Sequence, residues 1–177
     1  LWLSTAALDR ARDDDLAVPG GVVELDGRGE PTGILRERSA WLFRDRHVVV
    51  SDDEIFEAMR LGMRLANSRG VVAVHDKDGW KGILPHWQRL QARAGLSVRV
   101  WQSVPAAQLD ALVELGARSR VGDDFLRLGY LKTFMDGTLG SRTALMLDGS
   151  GVRITGRDEL EELIVRAAAA GWPLSVH

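Results

Sequence analysis

The chain has 177 residues, of which 45% are hydrophobic and 27% charged, so it can build one sizeable core and lacks the bias of a disordered segment. Its 23 basic and 25 acidic residues leave a formal net charge of −2, and no run approaches the roughly 18 consecutive apolar residues of a spanning helix, which disfavours nucleic acid and membrane as partners. The absence of cysteine excludes disulfides and thiolate catalysis, and no secretion signal is visible, so we expect a cytoplasmic protein.

The first part of the chain, residues 1–50, is predicted to be a loop-rich insertion or lid. Turn signals at 19–21 (PGG), 26–27 (DG) and 31–33 (PTG) separate short apolar stretches in this part. Residues 51–177 differ in character, because helical and strand patterns alternate there. We therefore predict two domains, with the boundary close to residue 50.

The alternating part begins with a strong helix signal. Ser51 and Glu54 form a capping box, and the helix that they open is predicted to end at Gly70. Amphipathic patterns closed by glycine, and continuous apolar runs, predict the elements that follow. The further helices are predicted through Trp87 and Leu90 to Gly95, over 106–115 and over 159–170, and the strands over 71–76, 96–101, 128–135 and 172–177.

Strands that are apolar on both faces and separated by helices are typical of a parallel sheet covered by helices. The predicted fold class is therefore α/β. About four βα units are visible, whereas a closed eight-stranded barrel takes roughly 250 residues. Two architectures remain open at this point, namely half of a (β/α)8 barrel or a small open sheet.

Three of the four predicted strands end in residues that can bind a metal or move a proton. They are His75 with Asp76, Lys132 with Asp136, and His177. Because the carboxyl ends of parallel strands meet at one edge of the sheet, active sites of α/β folds lie there. Lys132 stands in an apolar strand, where a buried ammonium is costly unless it is paired, neutralised or modified. The alternative for Lys132 is a simple ion pair with Asp136 or Asp76, and for the others a cap or a loop hydrogen bond.

Four stretches resemble the sequence pattern of one family. Residues 131–144 (LKTFMDGTLGSRTA) match its K-x-F-x-D-G-[ST]-L-G-S-R-T-A signature. The other three similarities are 29–37 (GEPTGILRE) to its G-x-P-T-G-x-L-x-E stretch, 70–76 (GVVAVHD) to its G-[VI]-T-S-V-H-D strand, and 174–177 (LSVH) to the start of its V-H-A-I-G-D strand. The family is the amidohydrolase family 3 branch of the amidohydrolase superfamily, which contains N-substituted formamide deformylase-like enzymes.

The resemblance implies a partial (β/α)8 barrel, roughly strands 2 to 5 with their helices. It implies that the parent protein is a metal-dependent hydrolase, which cleaves non-peptide C–N bonds of amide or N-formyl type in small molecules. It implies that Lys132 is carbamylated and bridges two divalent ions, with zinc the expected metal, and that His177 is a further ligand. The metal would activate water for the hydrolysis. Asp136 is a further catalytic candidate, and Arg142, His75 and Asp76 are candidates for substrate binding.

Part of the implied metal site is missing from this chain. The resemblance places a His-x-His pair before Leu1, and a sixth-strand histidine and an eighth-strand aspartate after His177, so we expect an internal piece of a longer enzyme. Half a barrel would also expose unpaired strand edges, which self-association could cover. The alternatives to the hydrolase are therefore a non-catalytic, self-associating barrel half and a small α/β binding domain without metal.

Overall fold

The structure is a computed structural model and describes residues 1–11, 16–77 and 82–177. The chain divides into two compact units, a first unit of Leu1–Val49 and Phe134–Gly156 and a second unit of Val50–Thr133 and Arg157–His177. In chain order the elements are α1 (Thr5–Arg10), β1 (Gly21–Leu25), β2 (Pro31–Arg36), α2 (Glu37–His47), α3 (Asp52–Ser68), β3 (Ala73–Asp76), α4 (Leu84–Ala94), β4 (Arg99–Pro105), a 3₁₀ helix (Ala106–Gln108), α5 (Leu109–Glu114), β5 (Leu126–Thr133), α6 (Arg157–Ala169) and β6 (Leu174–Val176).

The second unit is built on a four-stranded parallel sheet with the strand order β3-β4-β5-β6. Each strand therefore lies beside the next one along the chain. A helix lies between each two consecutive strands, namely α4, α5 and α6 in turn, as in consecutive βα units. The α/β class with a parallel sheet, which the sequence predicted, is confirmed. One irregularity interrupts the sheet, because the β4–β5 register shifts between Gln102 and Ser103.

The helices of the second unit cover apolar residues of the sheet. The predicted capping box of α3 is present, since Ser51 Oγ accepts from the Glu54 N–H and the Glu54 carboxylate accepts from the Ser51 N–H. Two buried clusters form the core, one with Met63, Trp87, Leu90, Leu96, Val98, Val100 and Leu126, the other with Ala106, Leu109, Leu112, Leu131, Ala167 and Trp172. Among the described residues, no helix combines the length and the apolar character needed to cross a membrane.

Several predicted boundaries were wrong in the second unit. The strand predicted over 96–101 is β4 at Arg99–Pro105, and the strand predicted over 128–135 is β5 at Leu126–Thr133. The reason is that Leu96 and Val98 are buried without belonging to the strand, so an apolar run reports burial and not the ladder of hydrogen bonds. The predicted helix over 106–115 begins as the 3₁₀ helix before it continues as α5.

The first unit contains more regular structure than the sequence predicted for residues 1–50. Strands β1 and β2 form an antiparallel pair, and α2 packs beside them over a cluster with Leu35, Ala40 and Phe43. The predicted turn at Asp26 is present, because its carboxylate accepts from two main-chain N–H groups of the β1–β2 connection. The turn predicted over 31–33 was wrong, because these residues begin β2.

Candidate active site

The candidate active site lies at the carboxyl end of the sheet in the second unit. Lys132 is near the end of β5, where its Cα partners are Pro105 in β4 and Ser175 in β6. His177 follows β6, and its main-chain N–H donates to the carbonyl of Thr133 at 3.0 Å. Because side chains alternate along a strand, His177 lies on the same face as Ser175, and therefore on the same face as Lys132. The sheet thus places these two residues on adjacent strands and on one face.

The Lys132 side chain is buried, with 5% of its surface exposed, as its apolar strand predicts. Its Nζ donates to the main-chain carbonyl of Thr133 at 2.7 Å. Burial, and in second place the positive charge of Lys77, lower the pKa of Lys132 from 10.5 to about 8. Near pH 8 a large part of the lysine population is therefore the neutral amine, which is the nucleophilic form.

His75 and Asp76 lie within β3, an edge strand of this sheet. The exposed His75 ring stacks on two aromatic rings, with centroid distances of 5.8 Å to Trp101 and 5.7 Å to Tyr130. The Asp76 carboxylate accepts a hydrogen bond of 2.7 Å from Trp87 Nε1, which links α4 to β3. Asp76 therefore links two elements of the fold, whereas the His75 imidazole is exposed beside the rings of Trp101 and Tyr130.

Three buried side chains of the same sheet have a polar atom without a hydrogen-bond partner among the described residues, namely Gln102 Oε1, Ser103 Oγ and Tyr130 Oη. Ser103 and Tyr130 are Cα partners across β4 and β5. Burial, and then the negative charge of Asp76, raise the pKa of Tyr130, so its phenol stays protonated and can donate. Because buried polar groups are normally paired, an unpaired one calls for a ligand, a water or a functional reason.

Sequence reasoning missed these three residues, although a signal was present. Gln102 and Ser103 are polar residues between the apolar Trp101 and Val104, and buried polar residues in a strand need partners. Tyr130 stands two positions before Lys132, so it shares the face of the predicted metal ligand. All three residues lie before the last residue of their strands, whereas the predicted site residues stand near or beyond the predicted strand ends.

Asp136 and Arg142 belong to the first unit, and their structural setting is a loop. Asp136 accepts a hydrogen bond of 2.8 Å from the main-chain N–H of Leu145 through Oδ2. Arg142 adopts a positive φ of 57°, and its N–H donates to the carbonyl of Leu139 in a tight turn. Of the six predicted site residues, the second unit therefore holds Lys132, His177, His75 and Asp76, and the first unit holds Asp136 and Arg142.

The loop of the first unit is held by Glu37, the last residue of the 29–37 stretch. Glu37 Oε1 accepts hydrogen bonds from Ser141 Oγ at 2.8 Å and from Thr143 Oγ1. Thr143 Oγ1 in turn accepts from the Thr138 N–H at 3.0 Å, and Arg36 donates to the Ser141 carbonyl at 2.6 Å. Two stretches of the sequence that carry the family resemblance thus bind each other through one carboxylate, which the sequence did not predict.

The fit of these residues to a metal ion depends on the donor set. A histidine nitrogen together with a carbamate oxygen suits zinc or a similar ion, and zinc sites typically use three or four protein ligands. The described part of the chain contains no group of three or more His, Cys, Asp or Glu side chains placed to hold a metal. His177 and a modified Lys132 therefore fit as two members of a donor set that needs further ligands.

Comparison with known sequences gives one family for the whole chain. Residues 1–177 match the sequence profile described as Amidohydrolase family. The Bacillus subtilis (strain 168) protein YtcJ, whose name describes an amidohydrolase, is 26% identical over 187 residues, which cover 99% of this chain and 34% of that protein. The protein LONG AFTER FAR-RED 3 of Arabidopsis thaliana is 25% identical over 176 residues, which cover 89% of this chain and 30% of that protein.

Two solved structures are similar in fold. Both are crystal structures of uncharacterized metal-dependent hydrolases, one from Pyrococcus horikoshii OT3 and one from Pyrococcus furiosus. The first has a TM-score of 0.63 at 25% identity and covers 86% of this chain and 33% of that chain. The second has a TM-score of 0.64 at 25% identity and covers 99% of this chain and 37% of that chain. This chain therefore spans about a third of the length of its relatives.

Proposed function

The chain belongs to the amidohydrolase family, and from this premise we propose that it supplies roughly strands 2 to 5 of the (β/α)8 barrel of a metal-dependent hydrolase. The proposed reaction is hydrolysis of a non-peptide C–N bond, of amide or N-formyl type, in a small molecule. One observation carries the proposal, namely a lysine buried at the carboxyl end of a parallel strand, beside the strand that leads to His177.

The proposed metal site requires a chemical change at Lys132. The neutral amine attacks the carbon of carbon dioxide, a C–N bond forms, and one proton leaves, so a buried cation becomes a carboxylate-like anion. The low pKa of Lys132 supports this step, because the neutral amine is accessible at lower cost than in an exposed lysine. A carbamate oxygen of Lys132 and a ring nitrogen of His177 would then hold one or two divalent ions, with zinc the proposed metal.

An ion held there would act as a Lewis acid, which lowers the pKa of a bound water to about 7 and polarises the scissile carbonyl. The residues of the chain supply orientation. The His75 ring stacks on Trp101 and Tyr130, and these three rings together form an aromatic surface on which a small substrate can stack. Asp136 is proposed as a further catalytic residue, and Arg142, His75 and Asp76 as substrate-binding residues.

The proposal is tested by measuring the metal content, and the hydrolysis of simple amides, of the full-length protein that contains this chain. We expect Lys132→Ala and His177→Ala each to lower metal affinity by at least about 100-fold, because even a residue that only supports a ligand is worth 10–100-fold. His86→Ala is the matched control, since His86 lies in α4 and is not one of the predicted ligands. Metal content that is equal in all four proteins would overturn the proposed ligands.

A second candidate function has one observation in its favour. Within the described residues, β3 and β6 each pair with a strand on one side only, so the sheet has two edges with unpaired main-chain groups. A metal-free barrel half that self-associates through these edges would use them structurally. Light scattering together with metal analysis separates the two functions, because this candidate requires an oligomer that holds no metal, whereas the hydrolase requires bound metal.

A further inference from the structure

Two residues of the first unit carry a side chain on a backbone conformation that favours glycine. Glu37 has a φ of 49° and Arg142 a φ of 57°, both in the left-handed region. A Cβ makes this region sterically costly, so non-glycine residues stay there only where the surrounding structure holds them. Such residues cluster at functional sites. The contacts that hold Arg142 therefore bear on what this residue does.

Arg142 is held through the residues on either side of it. Ser141 Oγ donates to Glu37 Oε1 at 2.8 Å, and Thr143 Oγ1 donates to the same oxygen atom. Arg36 Nη1 adds a hydrogen bond of 2.6 Å to the Ser141 carbonyl. Thr143 is only 2% exposed, so its contact with the carboxylate lies inside the protein. One carboxylate oxygen thus fixes both neighbours of the strained residue.

The side chain of Arg142 takes no part in this network. It is exposed, and its guanidinium has no hydrogen bond or ion pair among the described residues. Two other arginines of the first unit differ, since Arg36 pairs with Glu24 at 2.6 Å and Arg38 donates to the Ile154 carbonyl at 3.0 Å. The strain at Arg142 is therefore not offset by a contact of its own side chain, and its N–H donors remain available to a ligand.

We propose that Glu37 is a positioning residue of the hydrolase, which holds Ser141 and Thr143 so that Arg142 presents its guanidinium to the substrate. The strain favours this role over a purely structural one, because glycine at position 142 would form the same turn without the steric cost. The inference rests on the proposed function for the substrate contact of Arg142. The hold of Glu37 on the turn requires neither metal nor substrate, so it can be tested separately.

Hydrogen exchange in the metal-free full-length protein tests the hold on the turn. The main-chain N–H groups of Arg142, Thr143 and Ala144 all donate to carbonyls of the turn, so their exchange reports its opening. We expect Glu37→Ala to speed this exchange by about 10-fold or more, since two hydrogen bonds are lost, and Glu30→Ala to leave it unchanged. Glu37→Gln should stay within about 3-fold of the wild type, because its amide oxygen can still accept both hydroxyl groups. Equal exchange in Glu37→Ala and the wild type would overturn the hold.

A double-mutant cycle in the metal-loaded full-length protein tests the substrate contact, with N-methylformamide as the probe. We expect Arg142→Ala to raise KM by about 10-fold at nearly unchanged kcat, because a hydrogen bond from a charged donor to the bound substrate is lost. Glu37→Ala should raise KM in the wild-type background and not in Arg142→Ala, since it acts through Arg142. Glu37→Gln should keep the wild-type KM.

A residue with only a structural role gives a different result in this cycle. Its loss would reduce the active fraction of the protein, and thus the apparent kcat, in both backgrounds and leave KM unchanged. A wild-type KM in Arg142→Ala, or additive effects of Glu37→Ala and Arg142→Ala on KM, would overturn the inference.

A pair of glycine variants tests the strain itself. Arg142→Gly removes the cost of the left-handed backbone, so the unfolding temperature of the metal-free protein should rise, while KM rises as in Arg142→Ala. Arg28→Gly is the matched control, because Arg28 is exposed in a turn of the same unit without a positive φ, and it should not raise the unfolding temperature. A lower unfolding temperature in Arg142→Gly would contradict the strain and overturn the inference.

Metal analysis of the same samples keeps the inference apart from the proposed function. Bound metal without hydrolysis of N-methylformamide, or with KM values that do not depend on Glu37 and Arg142, removes only the positioning role. A wild type that takes up no metal removes the hydrolase, and with it the substrate contact of Arg142, whatever the exchange experiment shows.

Discussion

The loop of the first unit and the sheet of the second unit use polar residues in opposite ways. At the loop, the carboxylate of Glu37 in α2 and the hydroxyls of Thr138, Ser141 and Thr143 bond one another, so each hydroxyl has a partner within the protein. In the sheet, buried oxygen atoms of Gln102, Ser103 and Tyr130 have no partner among the described residues. The residues 131–144 contribute to both regions, since the chain leaves the second unit after Thr133.

This difference separates polar residues that bond within the protein from buried polar residues that have no partner among the described residues. A satisfied network adds stability, and its loss should weaken folding. A buried polar atom without a partner destabilises the ligand-free protein, so its removal should cost little and can even stabilise. Four substitutions test whether the two regions differ in this way.

The largest effect is expected at Glu37. Glu37→Ala removes the acceptor of two hydroxyl groups, and because hydrogen bonds to a charged group are worth about 1.5–3 kcal/mol each, we expect a loss of about 2–4 kcal/mol in the free energy of unfolding. Chemical denaturation measures it. Glu30→Ala is the control, because the exposed Glu30 should change stability by less than about 0.5 kcal/mol. Equal losses in the two variants would show that the Glu37 network adds nothing.

The next effect is expected at a glycine of the same loop. A Cβ at Gly137 would lie 2.1 Å from Thr143 Oγ1, whereas a Cβ at Gly140 would meet nothing within 4 Å. Gly137→Ala should therefore lower the free energy of unfolding by about 1–3 kcal/mol through steric overlap, and Gly140→Ala should leave it nearly unchanged. Thermal unfolding of both proteins checks this pair. A tolerated alanine at 137 would contradict the close packing around Thr143.

At Lys132 the expected change has the opposite sign. In the metal-free protein at pH 7, Lys132→Met should raise the free energy of unfolding by about 1–3 kcal/mol, because it removes a charge whose burial is costly. The folded-state pKa of about 8 is below the unfolded value of 10.5, so the wild type loses stability as the pH falls from 10.5 through 8. The advantage of the variant should therefore shrink above pH 8, and denaturation at pH 7 and pH 10 measures it. A destabilised variant would mean that Lys132 serves the fold.

The smallest effect on stability is expected at Ser103. Ser103→Ala removes a hydroxyl that has no partner among the described residues, so the free energy of unfolding should change by less than about 0.5 kcal/mol. Thr143→Val in the loop is the counterpart, with a loss of stability of about 1–2 kcal/mol. Equal losses of stability in Ser103→Ala and Thr143→Val would contradict the contrast between the unpaired polar atoms of the sheet and the bonded hydroxyls of the loop.

The sequence predicted those features that depend on local pattern. The capping box at Ser51, the helix that Gly95 closes and the burial of Lys132 in an apolar strand all follow from residues close together in the chain. The contact of Glu37 with Ser141 and Thr143 could not be predicted, because these partners are 104 and 106 residues apart. The limits of β4 were misplaced for a related reason, since hydrogen bonding to a neighbouring strand decides them.

The roles of the predicted site residues remain predictions, and one measurement tests the central one directly. The full-length chain is incubated with metal and ¹³C-labelled bicarbonate, and the carbon NMR spectrum is searched for a carbamate signal, in the wild type and in Lys132→Met. The account predicts a protein-bound carbamate that appears together with bound metal in the wild type and is absent from the variant. Stoichiometric metal in Lys132→Met, or a wild type with neither carbamate nor metal, would contradict the assignment of Lys132 to a metal site.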